Sequence, residues 1–80
     1  MNDNNIIESI REIIISVIEH DNFEMNNELI ASDVDGWDSL SQLMIISEIE
    51  KRFEIKFKLN EVYDIENLGD LIKLTQSKTI

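Results

Sequence analysis

The chain is predicted to be all-α: a bundle of three main helices and one short one, with a long loop between the first and second helices. Three observations predict this. Apolar residues recur at i, i+3, i+4, i+7 spacing in three separate stretches. No proline interrupts the 80 residues. Strand-like alternation occurs once, in a short run with no second strand to pair with.

The first stretch is Ile6, Ile7, Ile10, Ile13, Ile14, Val17 and Ile18, with Glu8, Arg11, Glu12, Ser16 and Glu19 on the opposite face. β-Branched isoleucines have moderate helix propensity, so packing has to supply the stability. The Asn-rich start, Met1 to Asn5, is expected to fray, and the helix is expected to stop near His20-Asp21-Asn22. Residues 21–38 are mostly aperiodic. They read as an ordered loop pinned by Phe23, Met25, Leu29, Ile30 and Val34. A loop this long in a small domain is often functional.

The second helix is expected to start at Asp38 or Ser39 and to run to about Phe53. Asp38 suits an N-cap, and Ser39-Leu40-Ser41-Gln42 also fits a capping box. Ile45, Ile46, Ile49 and Phe53 form its inward stripe. Leu40, Leu43 and Ser47 fall on a neighbouring stripe that makes the apolar face too wide for a simple half-buried helix. The alternating run Glu54 to Leu59 reads as an extended connection with Ile55, Phe57 and Leu59 turned inward. Asn60 is expected to cap one helical turn through Asp64. Asn67 is expected to cap a last helix whose inward residues are Leu68, Leu71, Ile72 and Leu74. Asp70 near its start and Lys73 and Lys78 near its end suit the helix macrodipole.

Composition bounds function. With 42% hydrophobic and 30% charged residues, the chain reads as one globular domain over residues 1–80. It is short enough to bury only about 60% of its unfolded surface, so its margin of stability is small. Zero Cys excludes a disulfide framework, thiolate zinc sites and a protein thiol nucleophile. A single histidine, His20, argues against a His-based metal cluster. No apolar run approaches the roughly 20 residues of a membrane span, and the first residues lack the basic start of a signal peptide. A reducing cytoplasm is therefore the expected compartment. Seventeen acidic against seven basic residues give a net charge of -10. Such a field repels nucleic acid and anionic lipid and steers the protein toward basic patches on partners, besides aiding solubility.

The segment Asp33-Val34-Asp35-Gly36-Trp37-Asp38-Ser39-Leu40 is the most informative. It starts like an EF-hand calcium loop, but Trp37 holds the third ligand position, the glycine is misplaced, and Met44 stands where a bidentate Glu is required. A Ser-His-Asp hydrolase would have only His20 as base, and 80 residues leave little room for a cleft and an oxyanion hole. His20 is more simply a solvent-facing residue near a helix end. No catalytic residue and no resident metal are therefore expected. Ser39 remains as an acceptor. In the first turn of a helix, its oxygen, once esterified by phosphate, sits beside free backbone N–H groups and the positive end of the dipole. It needs no base of its own if a separate enzyme supplies one. As an isolated tripeptide, Asp38-Ser39-Leu40 would be read simply as a cap.

The ordered set of motifs adds to that reading. Asp38-Ser39-Leu40 opening the second helix of an acidic four-helix chain resembles the acyl carrier protein family. So do the Gly36-Trp37 pair before it, the run Ile49-Glu50-Lys51-Arg52-Phe53-Glu54-Ile55, and Asn67-Leu68-Gly69-Asp70-Leu71. The resemblance covers nearly the whole chain. It implies that a separate Mg2+-dependent phosphopantetheinyl transferase places 4'-phosphopantetheine from coenzyme A on Ser39. Acyl groups would then travel as thioesters on the arm, so the working sulfur is imported into a chain without cysteine. It implies that Asp38 engages the transferase and its metal, a role compatible with capping. Leu40 and Leu43 match positions that touch partner enzymes beside the arm, with core packing as the alternative. Glu48 and Glu50 match the acidic partner-facing helix, with a merely solvated face as the alternative.

Ser41 stands where many fatty-acid carriers have an acidic residue. Met44 and Ser47 also differ from the usual choices, and Lys51 and Arg52 add positive charge. Together with Gly36-Trp37, these departures look like a free-standing carrier of a specialised pathway. Ile45, Ile46, Ile49, Val62, Tyr63 and Ile65 are candidates to line a shelter for the acyl chain. The expected molecule is a monomeric, non-catalytic carrier. Its expected partners are the transferase and the acyl-loading and acyl-transferring enzymes of fatty-acid, polyketide or other acyl metabolism, docking through basic patches. An aminoacyl, peptidyl or D-alanyl carrier serving an adenylating enzyme remains an alternative, as does an unmodified helical interaction domain.

Overall fold

The computed structural model describes residues 3–79. Helix α1 spans Asp3–Ile18, α2 Ser39–Phe53, α3 Leu59–Tyr63 and α4 Leu68–Lys78, with a single 3-10 turn at Ala31–Asp33 in the long loop. No strand occurs among the described residues, and none of their helices is long and apolar enough to cross a membrane. The Asn-rich start is helical from Asp3; Met1 and Asn2 lie outside the described residues.

The isoleucine stripe of α1 forms the spine of the core. Ile6, Ile10, Ile13, Ile14 and Ile18 are buried, and α1 packs against both α2 and α4. Ile45, Ile46 and Ile49 from α2 and Leu68, Leu71 and Ile72 from α4 complete the core. Thr75 is also fully buried, which the apolar pattern does not reveal. Its hydroxyl donates to the Leu71 carbonyl at 2.8 Å, so its burial leaves no polar atom unsatisfied. Helix α1 ends slightly earlier than expected. Glu19 takes a left-handed conformation (φ 65°) and its N–H bonds to the Ile15 carbonyl, closing the last turn.

The long loop is tied to the far helix. The Leu68 and Gly69 N–H groups, left free at the start of α4, donate to the Leu29 and Asn27 carbonyls at 2.8 and 2.9 Å. Gly69 is required there, since a Cβ would lie 2.9 Å from both the Asn27 carbonyl oxygen and its Cβ. Of the residues expected to pin the loop, Val34 is buried and Phe23, Met25 and Leu29 are half-buried, whereas Ile30 is exposed. The loop residue missing from that set is Trp37, which joins the core.

The connection after α2 is extended without pairing, and Ile55 and Phe57 turn inward as expected. Leu59 does not: it is exposed, because α3 starts at Leu59 and its helical turn breaks the two-residue alternation. The cap is accordingly Lys58 and not Asn60. The Glu61 carboxylate accepts the Lys58 N–H at 2.7 Å, and this bond fixes the start of the turn. Lys78, at the end of α4, bonds to Glu61 at 3.0 Å and pins α3 against α4. At α4 the expected cap holds: Asn67 accepts the Asp70 N–H at 2.8 Å.

Candidate functional site

Asp38 is the N-cap of α2. Its backbone is extended, and its Oδ1 accepts the Ser41 N–H at 2.9 Å. That choice, open in the sequence, makes Ser39 the first helical residue. Ser39 is exposed, and its hydroxyl engages no other group among the described residues. The Ser41 N–H is the main cause that holds the Asp38 carboxyl below the usual carboxylate range. Asp38 is therefore ionised at neutral pH beside the Ser39 hydroxyl. No group of three or more potential metal ligands occurs among the described residues.

The approach to this helix end is braced. The Ser41 hydroxyl donates to the Gly36 carbonyl at 2.6 Å. Gly36 sits at φ +84°, the left-handed region that favours glycine. His20, expected to face solvent, is half-buried. Its Nδ1 accepts the Asn22 N–H at 3.0 Å, which leaves the imidazole proton on Nε2 to donate to the Asp35 carbonyl at 2.7 Å. These bonds link the end of α1, the tail of the loop and the first turn of α2.

A groove of about 690 Å³ opens beside Ser39. Trp37, Gln42 and Leu43 line one side, and Leu59, Val62 and Ile65 line the other. Trp37 is only 8% exposed, and its indole N–H donates to Gln42 Oε1 at 2.7 Å. The residues considered for an acyl shelter divide here. Val62, Tyr63 and Ile65 line the groove, while Ile45, Ile46 and Ile49 are buried in the core.

The four remaining site residues also separate. Leu40 and Leu43 are 67% and 57% exposed, so they lie outside the core. Met44 is exposed beside them, extending the apolar stripe along α2 from Ser39. Glu48 is exposed and pairs with Lys51 at 3.4 Å. Glu50 is half-buried, and its carboxylate accepts the Phe57 N–H at 2.8 Å, which holds the connection to α3. Sequence reasoning did not single out Gln42 or the wall formed by Trp37. The available signal was the only tryptophan of the chain, placed just before an N-cap and five residues from an amide.

The family model described as a phosphopantetheine attachment site matches residues 8–75. The acyl carrier protein of Streptococcus thermophilus is 32% identical over 74 residues, covering 92% of this chain and 96% of that protein. That of Streptococcus pneumoniae is 32% identical over 73 residues, covering 91% and 95%. Among solved structures, the solution structure of the holo acyl carrier protein from Geobacter metallireducens superimposes with a TM-score of 0.83. It is 35% identical and covers 90% of this chain and 83% of that one.

Proposed function

This chain belongs to the acyl carrier protein family, carriers and not enzymes that bear covalent 4'-phosphopantetheine, and from that premise we propose that Ser39 bears the arm and that the protein serves a specialised acyl pathway in the cytoplasm. The observation that carries this reading is the exposed, unengaged Ser39 hydroxyl in the first turn of α2, next to an ionised Asp38.

The residues present suit the group. In loading, the Ser39 oxygen bonds to the phosphorus that bears pantetheine in coenzyme A. The pyrophosphate bond breaks, adenosine bisphosphate leaves, and the hydroxyl proton passes to a base on the transferase. The Asp38 carboxylate is placed to engage that enzyme and its Mg2+. Once esterified, the phosphate at Ser39 lies at the N-terminal end of α2, where backbone N–H groups and the helix dipole favour negative charge. When attached, the arm supplies a thiol that holds acyl groups as thioesters.

Partner enzymes would meet Leu40, Leu43 and Met44 beside the arm, with Glu48 and the acidic field steering basic patches toward them. Glu50, engaged with Phe57, contributes by shaping the end of that face. The carrier acts as one domain and as a monomer, released quickly because exposed ion pairs are weak. The departures at Ser41, Met44, Lys51 and Arg52 support a specialised pathway over the primary fatty-acid one.

Incubation with coenzyme A, Mg2+ and a broad-specificity transferase is expected to add one phosphopantetheinyl mass, and Ser39→Ala to prevent it. A gain that survives Ser39→Ala, or a wild-type mass unchanged across several transferases, overturns Ser39 as the attachment site. The acid released from the holo form isolated from its native host identifies the cargo. An amino acid there would move the protein to the aminoacyl carriers.

A further inference from the structure

The Trp37–Gln42 pair has a consequence for the arm. An indole N–H can only donate, so Gln42 must present its oxygen to Trp37. The 2.7 Å bond therefore fixes which way the amide points. Gln42 Nε2, with two hydrogens to donate, meets no acceptor among the described residues. Trp37, itself nearly buried, holds that donor in place at the wall of the groove.

Gln42 lies three residues after Ser39 on the same helix, hence on the same face and about 4.5 Å further along the axis. The groove that both residues line runs between the start of α2 and α3. Its other lining is mainly apolar, with Leu43, Leu59, Val62 and Ile65. A ligand that alternates amide groups with short apolar segments matches such a surface, and phosphopantetheine has that construction.

We infer that Gln42, oriented by Trp37, is a docking point for the phosphopantetheine arm, its Nε2 hydrogens donating to an amide carbonyl of the arm so that the arm lies along the groove. The inference rests on the reading that Ser39 bears the arm. One neutral hydrogen bond biases the arm toward the groove a few-fold and does not lock it there. A carrier that must surrender its arm to successive enzymes needs a contact of that strength. Trp37 acts as a positioning residue, since it touches the arm's partner and fixes its direction.

The test compares apo and holo protein by NMR, with isotope-labelled pantetheine in the holo form and loading verified by intact mass. The Gln42 side-chain NH2 resonances are expected to shift on conversion from apo to holo. In Gln42→Leu, the amide resonances of the arm are expected to move toward those of free pantetheine, and their relaxation to show greater mobility. Trp37→Phe keeps an aromatic ring but frees the Gln42 amide, and should move the arm signals the same way by a smaller amount. Fully loaded protein whose Gln42 NH2 signals are the same in apo and holo forms overturns the docking, as do arm signals identical in wild type and Gln42→Leu. A wild-type chain that gains no mass at all removes the Ser39 reading and the docking with it.

Discussion

Asp38 commits one carboxylate oxygen to the Ser41 N–H, and that bond both caps the start of α2 and is the main cause that lowers the pKa of the side chain. Capping and charge can be separated, because asparagine keeps an acceptor oxygen and loses only the charge. Asp38→Asn is expected to keep the thermal midpoint close to wild type at pH 7 while slowing modification of Ser39. Asp38→Ala is expected to lower both. Thermal unfolding and a time course of mass gain read the two effects, and equal loading rates for wild type and Asp38→Asn would remove the role of the charge. The folded carboxyl is more acidic than the unfolded one, so its stabilisation is present above the unfolded value. It is lost as pH falls through the folded value. The gap in thermal midpoint between wild type and Asp38→Ala should therefore narrow on acidification below the usual carboxylate range, and not vanish, because a protonated carboxyl keeps an acceptor oxygen for the Ser41 N–H. Gly36 completes the local design: at φ +84° it turns the loop beside Ile18 and offers its carbonyl to Ser41.

Helix α2 carries two apolar faces with different work. Ile45 and Ile49 are fully buried, whereas Leu40, Leu43 and Met44 stand in solvent on the side that opens at Ser39. Apolar side chains kept exposed in a small domain gain nothing for folding and suit contact with other proteins. Leu43→Asn is expected to change stability by no more than about 0.5 kcal/mol, yet to weaken transfer from partner enzymes. Ile49→Ala is expected to cost about 2–5 kcal/mol, enough to leave much of so small a domain unfolded. Denaturant melts of the two variants separate the faces, and comparable losses in both would contradict the division. Short α3 depends on its neighbours: Glu61 accepts the Lys58 N–H and pairs with Lys78, and Lys78 also lies over the Phe57 ring with its nitrogen 6.0 Å from the centroid. A helix of five residues does not persist alone, so these ties place one wall of the groove.

Over the whole molecule, a net charge of -10 is confined within a radius of gyration of 11.4 Å. Self-repulsion opposes the compact state, and salt shortens its reach to about 8 Å at physiological ionic strength. Added NaCl should therefore raise the thermal midpoint. It should lower affinity for a partner with a basic patch, since steering by the acidic field is screened in the same way. Calorimetry and binding across a salt series read these opposite signs. A midpoint indifferent to salt would mean that the charge is already balanced locally. The molecule also depends on one distant clamp, the two hydrogen bonds by which the loop caps the start of α4, made possible by the missing side chain at Gly69.

The sequence by itself determined the three main helices, the inward stripes of α1, α2 and α4, and the Asn67 cap, and it narrowed the start of α2 to Asp38 or Ser39. These follow from spacing and capping between residues a few positions apart, and neighbours along the chain suffice to specify them. Tertiary structure alone decided that Leu59 points outward, that Glu50 serves the Phe57 N–H, that His20 holds the Asp35 carbonyl, and that Asn27 and Leu29 cap α4. It also decided that Trp37, read from the sequence only as a letter of a motif, turns the Gln42 amide toward the groove. Each of these depends on where polar groups come to rest once distant segments have packed. The periodicity of apolar residues records which face is buried, but not which donor meets which acceptor.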